Sequence, residues 1–288
     1  MLVRISLVCF VLLASQSAFA QLADFTADIK NGCFPLTVEF KDASTGPVSE
    51  WLWDFGNNKT STLTNPGTIY TEPGVYDVTL TVKNGGPPST RIKAGFIVVH
   101  DYPSVDFSFD KISGCAPLDV KFKDQTSTSS GNIASWFWVF GDGGTSSQAN
   151  PGYTFKTPGS RTVSLNVRNE FGCEKLKTIS SPITVLGPTV KFTPDKTAAC
   201  TLPATFTFTN QSTGKGLTYE WDLGDGSSST SESPSRTYTQ AGTYHIVLKA
   251  TDTDGCQQSF TLPVFAGGEG DLGIKANDKV CNGSGIEF

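Results

Sequence analysis

The 288-residue sequence predicts an all-β protein built as a string of small β-sandwiches, and three observations carry that reading. A block centred on tryptophan returns three times in one register. Apolar and polar residues alternate with period two inside each copy. No stretch shows the 3.6-residue periodicity of a helix, whereas turn residues break the alternating runs about every 8–12 positions, as in a sandwich.

Residues 1–20, MLVRISLVCFVLLASQSAFA, hold one early Arg, an apolar run from Ile5 to Ala14 and Ala18-Phe19-Ala20 before Gln21. That is the grammar of a secretory signal peptide. The run is shorter than the roughly 20 apolar residues of a membrane span, and no other segment is as long. Three repeats follow, residues 21–100, 101–187 and 188–266. Each opens on a related segment: CFPLTVEF (33–40), CAPLDVKF (115–122) and CTLPATFTF (200–208). Residues 267–288 read as a linker and the start of a truncated fourth repeat, because CNGSGIEF (281–288) keeps the seven-residue step from Cys to Phe of the first two segments.

Trp53, Trp138 and Trp221 anchor the three copies. Three residues further stand Gly56, Gly141 and Gly224, ten beyond those Pro66, Pro151 and Pro234, and then the aromatics Tyr70, Phe155 and Tyr238. Gly74, Gly159 and Gly242 close each block 21 residues after its Trp, without a gap. In a strand each Trp shares a face with Phe55, Phe140 or Leu223, so the three indoles are expected to be core anchors; Trp51 and Trp136 lie two residues earlier on that face. Domains of about 80 residues bury only about 60% of their chain surface and need such an anchor. The alternation of Tyr76, Val78, Leu80 and Val82, and of Tyr244, Ile246, Leu248 and Ala250, marks half-buried strands. VDFSFD (105–110), LDVKFKD (118–124), SWFWVFG (135–141) and LKTISSPITVL (176–186) read the same way.

After each Trp come WDFGNN (53–58), WVFGDG (138–143) and WDLGDG (221–226). Short acceptor side chains and glycines that tolerate positive φ make a reversal, and Asn57-Asn58 fit the same turn. A phosphate cradle would need a helix behind the glycines, and none is predicted. GEGDLG (268–273) satisfies G-x-G-x-x-G but opens no βαβ unit and reads as linker. DTDG (252–255) lacks the downstream acids of a calcium loop and falls on the last hairpin turn.

The net charge of −5 becomes one unit more negative once Arg4 leaves with residues 1–20, and the basic residues are scattered singly. Both facts argue against nucleic acid. Two histidines and no Cys-x-x-Cys spacing argue against zinc; His245 falls on an outward position and His100 stands at a repeat boundary without an evident partner. Asp28, Asp110 and Asp195, each five residues before a cysteine, are expected to accept backbone hydrogen bonds at the first turn, as are Asp42, Asp124 and Asn210 after the second strand. With Asp225, these aspartates are also the candidate calcium ligands. Asn58, Asn210 and Asn282 open glycosylation sequons. No nucleophile with a base, metal set or carboxylate pair stands out, so no enzymatic activity is expected.

Six cysteines remain after residue 20, an even number in an oxidising compartment. Cys115 and Cys173 are 58 apart and Cys200 and Cys256 are 56 apart, which favours one bridge within each of the last two repeats. The first loop and last hairpin of a simple sandwich tend to lie at opposite ends, however, so Cys173–Cys200 and Cys256–Cys281 stand as the rival scheme. KNGGPP (83–88) replaces the second cysteine in the first repeat, leaving Cys33 an orphan.

Trp-Asp-x-Gly-Asp-Gly, then Asn/Ser-Pro, an aromatic, Pro/Ala-Gly and YDVTL (76–80) or YHIVL (244–248) resembles the PKD (polycystic kidney disease) domain across residues 21–266. The third repeat matches best; the first departs at Asn57-Asn58 and the second at Val139. The resemblance implies tandem immunoglobulin-like β-sandwiches of seven strands that act as extracellular stalks, adhesion segments or contact modules. The exported, cysteine-containing repeats are also similar to large surface proteins of gliding, Bacteroidetes-type bacteria. The expected role is a non-enzymatic spacer or adhesion segment of a larger surface protein, with an extracellular protein or glycan as partner. The alternative is a set of accessory binding modules for a secreted hydrolase whose catalytic domain lies beyond residue 288, using exposed aromatics such as Tyr102, Phe137 or Phe171.

Overall fold

The computed structural model describes residues 21–179 and 183–267. The expected leader, Cys9, GEGDLG, Cys281 and the start of a fourth repeat lie outside the described residues. Those described form strands and turns, with no helix among them.

Repeat 1 sets the plan with eight strands: β1 (Phe25–Ala27), β2 (Asn31–Cys33), β3 (Leu36–Asp42), β4 (Glu50–Asp54), β5 (Thr60–Ser61), β6 (Gly67–Tyr70), β7 (Gly74–Lys83) and β8 (Ser89–His100). They form a three-stranded sheet in the order β1-β3-β6 and a five-stranded sheet in the order β2-β8-β7-β4-β5. The period-two pattern of LTVEFKD places Leu36, Val38 and Phe40 inside and the residues between them outside. Register follows from the same alternation: Trp53 of β4 stands opposite Leu80 of β7, so both apolar side chains face the other sheet. β2 runs parallel to the end of β8, with Cys33 opposite His100.

Repeat 3 reproduces the plan. Phe192–Pro194, Ala204–Asn210 and Ser235–Tyr238 form its smaller sheet, while Thr218–Asp222 and Gln257–Ala266 flank the ten-residue strand Gly242–Thr251 in the larger. Repeat 2 differs. Its larger sheet is broken into a four-stranded piece and a three-stranded piece, and the segment expected as one strand over 176–186 is two, Glu174–Thr178 and Ile183–Leu186. Pro182, which has no N–H to give a ladder, stands between them.

Each sandwich closes around its tryptophan. Trp53 and Trp138 are 0% exposed and Trp221 2%. Two phenylalanines flank every indole: Phe25 at 5.3 Å and Phe40 at 5.7 Å in repeat 1, Phe107 at 5.0 Å and Phe122 at 5.5 Å in repeat 2, and Phe192 at 5.0 Å and Phe208 at 6.0 Å in repeat 3. Such tilted and edge-on pairs add roughly 0.5–1.5 kcal/mol each beyond the area they bury.

The described chain divides into two compact units. One comprises repeat 1 up to Ser104 with Thr128–Ala134 and Arg168–Lys175; the other holds Val105–Ser127, Ser135–Val167 and the chain from Leu176 onward. Each unit therefore draws on two consecutive repeats.

Candidate functional site

The motif after each tryptophan is a corner. In repeat 1 Asp54 Oδ1 accepts the Gly56 N–H at 2.9 Å, and in repeat 3 Asp222 Oδ1 accepts that of Gly224 at 2.9 Å. One turn later Asn57 accepts from Lys59 at 3.2 Å, Asp142 from Gly144 at 3.1 Å and Asp225 from Ser227 at 3.0 Å. The acceptors thus close local turns on their own backbone. Gly56, Gly141 and Gly224 have φ of 74, 79 and 79°. A Cβ there would meet Asp77 O at 2.4 Å, Thr162 O at 2.5 Å and His245 N at 2.9 Å, so the glycine lets the corner rest against the neighbouring strand.

Further repeating bonds fasten this corner to the core. The indole N–H of Trp53, Trp138 and Trp221 donates to the carbonyl of Leu63, Gln148 and Ser231, each at 2.9 Å. The Tyr70 hydroxyl donates to Phe55 O at 3.0 Å and the Tyr238 hydroxyl to Leu223 O at 2.6 Å. Burial pushes both phenols well above the usual tyrosine range, since an anion there would lose its water. Repeat 2 has Phe155 at this place and makes no such bond.

The candidate calcium ligands are distributed in the same structural manner. Asp28, Asp110 and Asp195 accept the N–H of Glu39, Lys121 and Thr207 at 2.9, 2.8 and 2.9 Å, pinning the first strand of each repeat to the next. Asp42 takes the Ser44 N–H at 2.9 Å and the Trp51 indole at 2.8 Å; Asp124 takes the Thr126 N–H at 2.9 Å and the Trp136 indole at 2.6 Å. Asn210 accepts the Ser212 N–H at 2.9 Å. Asp225 is held by Arg236 at 2.7 Å. Among the described residues no three His, Cys, Asp or Glu side chains gather as a metal site.

The disulfides differ from the intra-repeat expectation and from its rival. Cys33 pairs with Cys173, with Cα atoms 5.6 Å apart, and Cys115 pairs with Cys256 at 5.3 Å. Cys200 is disulfide-bonded as well. The two cysteines of one repeat lie at opposite ends of it. Cys33 sits beside His100, where the chain leaves repeat 1. Cys173 closes a hairpin at the entry to repeat 2, where Asn169 Nδ2 donates to Asp101 O at 3.1 Å and to Ser130 O at 3.2 Å. The early cysteine of one repeat therefore meets the late cysteine of the next, and Cys33 is no orphan. The second joint repeats the logic: Cys115 lies opposite Leu186 at the exit of repeat 2, and Gln258 Nε2, two residues past Cys256, donates to Ala116 O at 2.8 Å. Asn169 and Asp252, each four residues before its cysteine, accept that cysteine's N–H at 2.9 and 2.8 Å.

These joints also absorb two of the aromatics expected as contact residues. The Phe171 ring stacks on His100 at 3.6 Å, which gives His100 the partner that its sequence position did not reveal, and Tyr102 packs edge-on against Phe34 at 5.3 Å. Phe137 remains 51% exposed on the outer face of its sheet. Leu52, its counterpart in repeat 1, is 53% exposed. The repeat 3 counterpart is Glu220, paired with Lys249 at 3.1 Å. Both line an open groove of about 400 Å³ with Asp222, Ser228, Thr230 and Val247.

Comparison with known proteins places this architecture. The family profile described as PKD domain matches residues 19–94, 101–185 and 186–264. The collagenase ColA of Bacillus cereus is 38% identical over 63 residues, which is 22% of this chain and 7% of that protein. The pre-pro-metalloprotease PrtV of Vibrio cholerae is 54% identical over 39 residues, 14% of this chain and 4% of that protein. The matched regions thus span less than a tenth of either relative. Among solved structures, the PKD1 domain of Vibrio cholerae PrtV is 31% identical, covering 29% of this chain and 96% of that one with a TM-score of 0.26. The PKD1 domain of Vibrio anguillarum Epp is 25% identical, covering 30% and 99% with a TM-score of 0.27. With its profile matched in three successive stretches that together take up more than half of the sequence, the chain belongs to the PKD domain family.

Proposed function

We propose that residues 21–267 are a non-catalytic spacer and adhesion segment of an exported surface protein. The observation that carries this reading is where the polar side chains go. The corner acids close turns, the first-strand acids pin neighbouring strands, and each indole N–H is consumed inside its own sandwich. Groups committed in this way hold shape and perform no chemistry. In the full-length protein, replacing the three repeats by an equal number of unrelated sandwiches should preserve attachment of cells to their surface. Loss of attachment in the swapped protein would show that the repeats themselves recognise the partner.

A second reading has a specific observation behind it. The outer sheet face carries Leu52 and Phe137 at equivalent places, and the relatives named collagenase and metalloprotease contain matching regions. On that reading the repeats are accessory modules that bring a secreted hydrolase to protein or glycan. A glycan array and a collagen-binding assay with the wild-type segment and with Phe137→Ser separate the two. Binding that weakens in the variant supports the accessory role, and no binding to either leaves the spacer.

A further inference from the structure

We infer that Asn84–Gly85, in the hairpin between β7 and β8, is a site of covalent self-modification at which the asparagine becomes aspartate or isoaspartate. The inference concerns the chemistry of one loop and stands whichever role the repeats serve. The Gly85 backbone nitrogen attacks Asn84 Cγ, and a five-membered imide closes as the Cγ–Nδ2 bond breaks. The proton of the Gly85 N–H passes through solvent to the leaving nitrogen, which departs as ammonia. Water then opens the ring at either carbonyl, giving aspartate or an isoaspartate whose Cβ lies in the main chain. No oxidant, reductant or further reactant is needed.

The attack requires a backbone N–H without a partner and a peptide free to turn. Asn84, Gly85 and Gly86 are exposed, Gly85 has φ of 71°, and beyond the adjoining residues no atom lies within 4 Å of where a Cβ would stand on either glycine. The last bond before the loop runs from Ser49 N–H to Lys83 O at 2.9 Å, and the ladder resumes where Ser89 stands opposite Val82. Between these points residues 84–88 give and receive no hydrogen bond among the described residues. Pro87 and Pro88 have no N–H with which to close a turn.

The sister repeats show what is missing. Asn84 stands ten residues after Gly74, as Asn169 does after Gly159 and Asp252 after Gly242. Asn169 Oδ1 accepts the N–H of Phe171 at 3.1 Å and of Cys173 at 2.9 Å, and Asp252 Oδ1 accepts those of Asp254 at 3.0 Å and Cys256 at 2.8 Å. Gly172 N–H closes on Asn169 O at 3.0 Å and Gly255 N–H on Asp252 O at 3.1 Å. The first repeat, without a cysteine in this hairpin, lacks every one of these restraints.

Asn31–Gly32 is the other Asn–Gly pair among the described residues and supplies an internal control. It lies in β2, where Lys30 O accepts Val98 N–H at 2.8 Å and Phe34 N–H donates to His100 O at 3.2 Å. Alternate residues of a parallel ladder face the same neighbour, so the Gly32 N–H between them also points at β8. Leu36 Cδ1 covers its Cβ position at 2.7 Å. That N–H must leave the ladder before it can attack, an opening cost the loop does not incur.

Timed incubation of the wild-type protein in mildly alkaline buffer, followed by peptide mapping with mass spectrometry and an isoaspartate assay, reads both sites in one sample. In the folded protein Asn84 should convert at least about tenfold faster than Asn31, and in urea with the disulfides reduced the two rates should agree within about twofold. A ratio near one in the folded protein, or a ratio that urea leaves unchanged, would overturn the inference. No variant is involved, so impaired folding cannot obscure the result.

Discussion

Replacing Gly224 by alanine should destabilise repeat 3 far more than replacing Gly226, although the two glycines have nearly the same backbone angle, φ of 79 and 83°. A side chain in the left-handed region costs about 1–2 kcal/mol, and both variants share that penalty. At Gly226 nothing lies within 4 Å of the new Cβ. At Gly224 the new Cβ meets His245 N at 2.9 Å, His245 O at 3.0 Å and Tyr244 Cβ at 3.2 Å, all on the central strand of the larger sheet. Such overpacking against backbone adds about 2 kcal/mol. Native-state hydrogen exchange of the Gly242–Thr251 amides reads the difference locally, without requiring the whole chain to unfold in one step. Protection in Gly224→Ala should fall roughly thirtyfold below that in Gly226→Ala, because 1.4 kcal/mol is a factor of ten. Equal protection in the two variants would refute the close approach of corner and strand.

Trp138→Ala should cost about 3–5 kcal/mol in repeat 2, read as an earlier urea midpoint for that repeat's amides, since the indole is fully buried between Phe107 and Phe122. Tyr238→Phe should cost about 1–3 kcal/mol by orphaning the buried Leu223 carbonyl, measured in the same way. At alkaline pH the Tyr70 and Tyr238 phenols should stay protonated past the ordinary tyrosine pKa near 10. Their folded pKa is raised, so the stability they provide is complete below that value and drains away as pH climbs above it. Absorbance at 295 nm should show their ionisation only together with loss of near-ultraviolet dichroism. In acid the sign reverses. Lys93 beside Asp24 and Lys177 beside Asp106 hold those carboxyls below the usual range, so their small contributions are present above about pH 4 and fade as pH falls further. Lys93→Met with Lys177→Met should flatten the acid limb of a melting-temperature profile. Calcium at millimolar concentration should leave the melting temperature unchanged against chelator, because Asp28, Asp42, Asp110, Asp124, Asp195 and Asp225 are engaged with backbone, indole or Arg236.

Much of the fold was legible because repetition reports on packing. An indole returning with an aromatic or Leu two residues on and a glycine three residues on implies one core and one corner, and Trp53, Trp138 and Trp221 lie in that arrangement. Asp28, Asp110 and Asp195 were readable as acceptors because a short carboxylate near a strand end finds backbone N–H groups within reach. The disulfide partners were not legible. Equal spacing within repeats is also what equal spacing between them produces, as the separations of 140 and 141 residues show, and only three-dimensional placement at opposite ends of a sandwich decides between the two. The stack of His100 on Phe171 escaped for the same reason, since its two rings come from different repeats. The split strand in repeat 2 had a signal, Pro182, within a run read as continuous.

The stitching of each repeat to the next is tested most directly by non-reducing peptide mapping of the protein, with mass spectrometry of the cross-linked fragments. Peptides joining Cys33 to Cys173 and Cys115 to Cys256 are the expected result. A peptide joining Cys115 to Cys173, or Cys33 recovered as a thiol, would contradict it.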